Sequence, residues 1–232
     1  MDKISVCLTT YQRVPETIRA IEQILGDERI LEFVILDDAS PDNSYEQLRD
    51  FYKGNNKVKV IRQLVNLNMS RNKNAALSYA ICDFALLADS DNIFTISYLD
   101  AFYALKEWDK NTIYQPSFGE IQFDWRKHQG IKIDRTSIAF YMEDALFRCS
   151  LNGSNYIVNP KLYNERYVYN PDIDAADTIH FLYHWLLASG NYYIVPDMRY
   201  THTTGDHSGF LKNVNKNMAD AINLEKMIWQ LK

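Results

Sequence analysis

The sequence has few cysteines, and their placement excludes two kinds of site. Its 232 residues include three cysteines, Cys7, Cys82 and Cys149, which lie far apart and form no Cys-x-x-Cys pair. An odd number of widely spaced cysteines is typical of reduced core thiols, because disulfide frameworks and zinc sites need paired ligands at short spacings. We therefore expect neither a disulfide framework nor a zinc site.

Long hydrophobic runs and clusters of one charge are also missing. The formal net charge is -5, and no run of Lys and Arg is long enough to attract nucleic acid or an anionic membrane. Apolar stretches such as Ile4 to Leu8 are far shorter than the roughly 20 residues that cross a bilayer, and the first residues lack a signal-peptide pattern. We expect a cytoplasmic protein without a transmembrane segment or a nucleic-acid partner, and leave peripheral contact with the inner face of a membrane open.

Glycine is scarce where a phosphate-binding loop would need it. The first predicted strand is followed by Thr9-Thr10-Tyr11-Gln12-Arg13, and not by a Gly-x-Gly-x-x-Gly turn or a P-loop. This argues against dinucleotide oxidoreductases and P-loop enzymes. A sugar nucleotidyltransferase would also be expected to carry a Gly-rich loop at this point, and it is kept as an alternative.

What the sequence does contain is an alternation of short apolar runs and amphipathic segments, most regular in the first half. Strands separated by helices of this length predict right-handed crossovers and a largely parallel sheet, hence an α/β fold. No linker divides the chain, so we expect one domain. The predicted strands are Ile4 to Leu8, Phe33 to Leu36, Val58 to Ile61, Phe84 to Ala88 and Tyr192 to Val195; the predicted helices are Pro15 to Leu25, Ser44 to Tyr52, Ser70 to Ile81, Ile96 to Trp108, Ala176 to Ala188 and Met218 to Leu231.

Acidic residues follow two of the predicted strands. Side chains at i and i+2 of an extended chain share a face, so Asp89 and Asp91 in Asp89-Ser90-Asp91 can face one cation. Mg²⁺ and Mn²⁺ prefer oxygen ligands and leave positions open for phosphate oxygens. In Asp37-Asp38, one carboxylate could accept hydrogen bonds from a base or ribose. Helix capping and turn formation are the alternative explanations of both pairs.

Four segments occur in an order that resembles the motif set of family 2 GT-A glycosyltransferases. They are Val6 to Gln12, Leu36 to Asp42, Ser70 to Ala76 and Leu87 to Asp91. The resemblance covers roughly Ile4 to Phe94 well, and it continues loosely through Asn152-Gly153-Ser154. It implies a GT-A fold in which residues 1–94 bind the nucleotide sugar and residues 95–232 form the acceptor side.

The resemblance also implies roles for single residues. It predicts a catalytic base at Asp177, where Ala176 replaces the Glu of the family's Glu-Asp pair. Asp174 is the second candidate, and Glu143-Asp144 is a remoter one. The predicted nucleotide-sugar contacts are Thr9, Tyr11, Asp37, Asp38, Arg71, Asp89 and Ser90, and the predicted ligands of Mn²⁺ or Mg²⁺ are Asp91, Asp89 and His202, with His207 as the rival of His202.

The reaction that the resemblance implies is a single in-line displacement that inverts the anomeric carbon. The donor would be a nucleotide diphosphate sugar, with a UDP-sugar favoured, and the acceptor a glycan or lipid-linked hydroxyl in polysaccharide or glycoconjugate synthesis. A homodimer is compatible with this reading. The alternative from another class is a nucleotide-sugar-binding module without activity, because Ala176 interrupts the expected acidic pair.

Overall fold

The computed structural model of the protein describes residues 2–119, 123–173, 175–203 and 213–231, without the side chains of residues 149 and 150. Strands and helices alternate through the first half, as the sequence predicts. The strands are β1 Ile4–Thr10, β2 Ile30–Asp37, β3 Val58–Arg62, β4 Ala85–Asp89, β5 Thr112–Phe118, β6 Lys132–Ile133, β7 Ile157–Val158 and β8 Asn191–Arg199. The helices are α1 Val14–Ile21, α2 Ser44–Phe51, α3 Asn68–Ser78, α4 Ile96–Tyr103, α5 Ile138–Tyr141, α6 Ala145–Ser150, α7 Pro160–Arg166, α8 Asp177–Leu187 and α9 Val214–Trp229, and a 3₁₀ turn covers Arg126–His128.

Within the described ranges the strands form one sheet in the order β3-β2-β1-β4-β7-β5-β8-β6. Strands β1 to β4 pair in parallel, and β5 pairs in parallel with β8. β7 pairs antiparallel with both β4 and β5, and β6 pairs antiparallel with β8. The predicted α/β class with a largely parallel sheet is confirmed.

Apolar side chains are buried on both faces of the sheet. Successive side chains of a strand point to opposite faces, so each strand contributes to both apolar layers. In β1, Val6 and Leu8 join one apolar cluster, which also contains residues of α1, α2 and α4. Cys7 between them joins the other cluster, which contains residues of α3, α8 and α9. Two apolar layers on opposite faces of one sheet therefore hold the molecule together.

Several helix ends differ from the predicted ones. α4 ends at Tyr103 and not at Trp108. The indole of Trp108 folds back and stacks on Phe102, with 4.3 Å between ring centroids. Trp108 therefore packs against the apolar cluster although it lies outside the helix. α1 ends at Ile21, before the predicted Leu25, and α9 begins at Val214, before the predicted Met218.

The short strand β7 is the feature of the second half that matters most for the site. Leu87 of β4 donates a backbone hydrogen bond to Tyr156 O over 3.0 Å, which brings the segment before β7 beside the end of β4. The sequence pattern did not reveal this strand, since two residues show no periodicity. Among the described helices, none is long and apolar enough to cross a membrane.

Candidate active site at the carboxyl edge of the sheet

Three neighbouring strands end at one edge of the sheet and bring three predicted site residues together. Thr9 of β1 is paired with Asp89 of β4, and Thr10 is paired with Asp37 of β2. In open parallel sheets, ligands bind outside the carboxyl ends of the strands. We therefore place the candidate site at this edge.

Asp37 is fully buried, and its carboxylate is engaged in the turn that follows β2. Ser40 donates its backbone N–H to Oδ2 over 3.0 Å and its hydroxyl to Oδ1 over 2.5 Å. Arg62 Nε lies 3.8 Å from Oδ2. Ala39 in this turn has a φ of 55°, in the left-handed region. Asp37 thus shapes the turn that presents Asp38, and its contact with a nucleotide stays a prediction.

Asp38 faces the start of α3. Leu67 donates its backbone N–H to Asp38 Oδ1 over 2.7 Å, and the Asn66 side-chain amide donates to Asp38 O over 3.1 Å. Burial raises the pKa of Asp38 above its usual value, although the Leu67 N–H and the charge of Arg71 oppose the rise. The Arg71 guanidinium lies over the ring of Tyr169, 5.2 Å from its centroid. Arg71, Leu67 and Tyr169 line a cavity of about 330 Å³ next to Asp38.

Asp89 at the end of β4 is held from three sides. Lys73 Nζ of α3 lies 3.4 Å from Oδ1, and the Ser154 hydroxyl donates a hydrogen bond to Oδ2. The Asp89 backbone N–H donates to Asn155 Oδ1 over 2.8 Å. Burial alone would raise the pKa of Asp89, but Lys73 and Ser154 outweigh it, and the pKa is lowered. Asp89 is therefore ionised at neutral pH.

Asp177 begins α8 and meets the same lysine. Lys73 Nζ lies 3.1 Å from Asp177 Oδ2, and Asp177 is 7% exposed. Burial would lower the pKa of Lys73, but Asp177 and Asp89 reverse this and raise it, so the ammonium keeps its charge. Burial also raises the pKa of Asp177, against the opposing charge of Lys73. A carboxylate with a raised pKa accepts a proton more readily, which suits a base.

Sequence reasoning missed Lys73, and it gave no role in the site to the loop that precedes β7, although the resemblance ran loosely through Asn152-Gly153-Ser154. Lys73 could have been noticed because it shares the stripe of Ala76 and Leu77, which lie three and four residues further along α3 and are buried. A lysine in an apolar stripe indicates a buried partner. In the loop, Asn152 accepts a hydrogen bond from Ile179 N over 3.3 Å and thereby satisfies a free N–H in the first turn of α8.

Asp91 and His202 lie beyond the end of β4. Arg13 Nη1 contacts Asp91 Oδ2 at 2.5 Å, and the Thr203 hydroxyl donates to the backbone carbonyl of Asp91. Burial and the charge of Asp89 raise the pKa of Asp91. Thr203, the residue after His202, also donates its backbone N–H to Asn92 Oδ1 over 3.0 Å, which holds the chain at His202 beside the segment that follows β4. The predicted metal ligands therefore share one region.

The described part of the chain contains no group of three or more His, Cys, Asp or Glu side chains arranged to hold a metal ion. Asp89 is engaged by Lys73 and Asp91 by Arg13, so both carboxylates already have cationic partners in this conformation.

The remaining predicted site residues divide into three groups. Tyr11 is 40% exposed beside the edge, whereas Ser90 is buried. Asp174 and His207 lie outside the described residues. Asp144, the remoter candidate base, caps α6 by accepting from Leu146 N over 3.0 Å, and Lys127 Nζ lies 2.7 Å from its Oδ2. These contacts give Asp144 a structural role.

A larger cavity, of about 470 Å³, adjoins the first and shares Tyr169, Pro171, Asp172 and Ile173 with it. It is enclosed by α8, α9 and residues 168–173, and its walls include His180, Tyr183 and His184. Among the described residues, none that is predicted to bind the donor or a metal lines this cavity.

The chain matches a known protein family over most of its length. The model of the family described as Glycosyl transferase family 2 matches residues 5–169. A curated relative is the glycosyltransferase GlyG of Streptococcus pneumoniae serotype 4 (strain ATCC BAA-334 / TIGR4), which is 26% identical over 201 residues. That alignment covers 80% of this chain and 66% of the relative. This chain therefore spans just under two thirds of the relative's length.

Solved structures share the fold at low identity. The crystal structure of S. aureus TarS residues 1–349 has a TM-score of 0.68 and 18% identity, covering 97% of this chain and 65% of that one. The mannosyltransferase PcManGT of Pyrobaculum calidifontis, in complex with GDP-Man and Mn²⁺, has a TM-score of 0.67 and 14% identity, covering 96% of this chain and 64% of that one. TarS 1–349 in complex with UDP-GlcNAc has a TM-score of 0.66 and 21% identity, covering 88% and 60%. These similarities confirm the GT-A fold.

Proposed function

The chain belongs to glycosyl transferase family 2, and on that basis we propose that it transfers a sugar from a nucleotide diphosphate sugar to an acceptor hydroxyl. One observation carries the proposal beyond family membership. Lys73 joins Asp89, at the end of β4, to Asp177, at the start of α8, through contacts of 3.4 and 3.1 Å. The acidic strand end and the candidate base, far apart in sequence, therefore lie in one cluster.

The proposed step is an in-line displacement in which one bond replaces another. The acceptor oxygen forms a bond to the anomeric carbon while the bond from that carbon to the diphosphate oxygen breaks, and its electron pair leaves with the nucleotide diphosphate. Asp177 takes the proton of the acceptor hydroxyl. A single displacement inverts the anomeric carbon, and NMR of the product would show the opposite anomer to the donor.

The side chains at the strand end are of the types that bind a divalent metal ion, and a bound ion would share the two carboxylates with Lys73 and Arg13. Asp89 and Asp91 offer carboxylate oxygens, and His202 Nδ1 is buried and has no hydrogen-bond partner among the described residues. Mn²⁺ and Mg²⁺ accept such ligands. Asp91, Asp89 and His202 would hold the ion, which when bound supplies positive charge that stabilises the departing diphosphate.

The donor we propose is a UDP-sugar. The structures of TarS with UDP-GlcNAc and of PcManGT with GDP-Man and Mn²⁺ support a nucleotide-sugar donor, and they leave two bases to compare. Asp38 and Arg71, beside the 330 Å³ cavity, would contact the nucleotide. The acceptor we propose is a glycan or lipid-linked hydroxyl, in polysaccharide or glycoconjugate synthesis.

Donor turnover tests the proposal directly. The protein is incubated with Mn²⁺ and UDP-GlcNAc, UDP-glucose or GDP-mannose, and release of UDP or GDP is measured with and without a glycan acceptor pool. We expect one donor to raise the melting temperature and to release its nucleotide diphosphate. Saturable binding without release, with every acceptor offered, would point to a binding module. In a separate incubation with UTP or GTP and a sugar 1-phosphate, release of pyrophosphate would indicate a nucleotidyltransferase.

Asp91→Asn tests the metal ligand. Removing the charge should abolish the Mn²⁺-dependent part of donor binding, because an amide is a much weaker ligand than a carboxylate for a hard cation. Isothermal titration calorimetry of UDP with and without Mn²⁺ measures this. Asp83→Asn is the matched control, since the Asp83 side chain is 70% exposed and pairs with Lys110 at the surface. Equal Mn²⁺ dependence in both variants would contradict the assignment.

A further inference from the structure

Lys73 is a buried cation held between two acids from two other elements. Its side chain is 4% exposed, and its ammonium contacts Asp177 Oδ2 and Asp89 Oδ1. Burying an ammonium is unfavourable unless charges compensate it, and lysine is among the residues least often fully buried. An apolar residue at this place in α3 would pack without that cost. The position of Lys73 therefore calls for a role beyond packing.

The two acids are also held by separate neutral contacts. Ser154 donates to Asp89 from the loop before β7, and Asn152 of the same loop donates its side-chain amide to Ala175 O over 2.7 Å, next to the start of α8. These contacts fix the backbone around the acids. Lys73 is the group that joins the two carboxylates to each other.

We propose that Lys73 is a positioning residue that ties the carboxylate of Asp177 to that of Asp89, so that the base is aimed at the donor's anomeric carbon. The inference rests on the proposed function. Lys73 keeps its proton throughout, and the proton of the acceptor hydroxyl goes to Asp177. Without the ammonium, two carboxylates would face each other in a buried region and move apart.

The test compares Lys73→Met with Lys73→Arg. Methionine keeps the length and apolar stem without the charge, and arginine keeps the charge. We expect Lys73→Met to lower kcat about 100-fold, the effect of a small misplacement of a catalytic group, with a change in donor Kd below about 3-fold. Lys73→Arg should recover at least about a tenth of the lost turnover. Unchanged kcat in Lys73→Met, or an equal loss in both variants, would overturn the proposal.

The matched control is Lys59→Met. Lys59 Nζ contacts the buried carboxylate of Glu32 at 2.6 Å on the same sheet, away from the strand ends. Its removal also leaves a buried acid without its cation, so it measures the general effect of such a loss. We expect kcat within about 2-fold of wild type. A loss in Lys59→Met as large as that in Lys73→Met would show that the effect is structural.

Lys73→Met leaves two acids uncompensated, so a second comparison guards against misfolding. Asp177→Asn and the double variant Lys73→Met/Asp177→Asn each carry one carboxylate fewer in this cluster than wild type. If Lys73 acts through Asp177, the double variant should be no more than about 3-fold slower than Asp177→Asn. Multiplication of the two single losses would overturn the inference.

Crystal structures of Lys73→Met and Lys73→Met/Asp177→Asn separate this inference from the proposed function. In the single variant Lys73→Met, we expect the Asp177 carboxylate to lie more than about 1 Å from its place in wild type, because it then faces Asp89 without the ammonium, and 1 Å is a displacement that costs a catalytic group about 100-fold. In the double variant, where residue 177 is neutral, we expect a smaller shift. If no donor is turned over by wild type, the proposed function fails, and the structures still decide whether Lys73 sets this arrangement. If wild type turns donor over and the Asp177 carboxylate of Lys73→Met does not move, only the positioning role fails.

Discussion

At the scale of single residues, the acids of the site are all aspartates, and they differ in the residues that surround them. Asp37 is satisfied by its own turn, Asp89 is stabilised as an anion by Lys73 and Ser154, and burial raises the pKa of Asp91 and Asp177. Environments that push the pKa values of neighbouring acids apart assign them different roles. Here they suit Asp89, which stays ionised, to bind a cation, and they suit Asp177 to accept a proton.

Asp177→Asn should leave donor binding intact and lower transfer by about 100- to 10,000-fold, because an amide cannot accept the proton. Calorimetric titration with the donor nucleotide and Mn²⁺, together with steady-state transfer rates, measures the two effects separately. Asp50→Asn, an acid of α2 whose side chain is 67% exposed, is the control and should transfer at the wild-type rate. Wild-type transfer by Asp177→Asn would reject it as the base.

At the scale of elements, α8 combines the candidate base with two histidines, of which His180 is buried and His184 is partly buried. The rings of His180 and His184 meet edge to face, 4.7 Å apart. Burial lowers the pKa of both, and that of His180 falls to about 4. His180 is therefore neutral in the folded protein at neutral pH and protonated only well below the pH at which an unfolded histidine takes up its proton.

The free energy of unfolding should fall as the pH drops from about 6.5 towards 4, since the unfolded chain binds the His180 proton first. For a pKa of about 4 against about 6.5, the loss at pH 5 is about 2 kcal/mol. Urea unfolding at pH 7.5 and pH 5.0 measures it. His180→Gln should remove most of this pH dependence, whereas the exposed Lys106→Gln should keep it; identical pH profiles for both would contradict the assignment.

The end of α8 depends on a glycine. A Cβ at Gly190 would overlap the indole of Trp185, whose Nε1 donates to Asn191 O over 2.9 Å. Gly190→Ala should therefore lower the free energy of unfolding by about 1–3 kcal/mol, as overpacking does. Gly26→Ala is the matched control, because nothing lies within 4 Å of a Cβ there, and it should change stability by less than about 0.5 kcal/mol. Urea denaturation of both variants measures the difference, and equal effects would refute this explanation.

At the scale of the whole molecule, the sheet runs through both halves of the chain. β7 connects β4 of the first half to β5 of the second, and the Lys73 cluster joins α3 to α8. We propose that residues 1–232 fold as one cooperative unit. The sequence provides separate probes, because all four tryptophans, Trp108, Trp125, Trp185 and Trp229, lie in residues 95–232.

Urea unfolding followed by tryptophan fluorescence should coincide with unfolding followed by reactivity of the buried Cys7 thiol in β1. A Cys82→Ser/Cys149→Ser variant makes Cys7 the one thiol present, and circular dichroism of this variant against wild type controls for the substitutions. Transition midpoints that agree within error support one unit. Exposure of Cys7 at a clearly lower urea concentration would show that the halves unfold separately.

The sequence by itself determined the parts of this protein that depend on local pattern. Apolar runs such as Phe84 to Ala88, alternating with amphipathic helices, were enough for the parallel sheet. Acids directly after those runs were enough to place Asp37 and Asp89 at one edge, because parallel strands end together. The helix that begins near Asp177 was visible from its spacing and from Gly190.

The tertiary structure alone decided which groups meet at that edge. Ser154 reaches Asp89 across 65 residues of chain, and Lys73 meets both Asp89 and Asp177. Such contacts produce no periodic pattern in the sequence, because they depend on how β7 enters the sheet and on which side of α3 faces inward. The charge state of a buried acid follows from those neighbours, so the division of roles between Asp89 and Asp177 exists only in the folded chain.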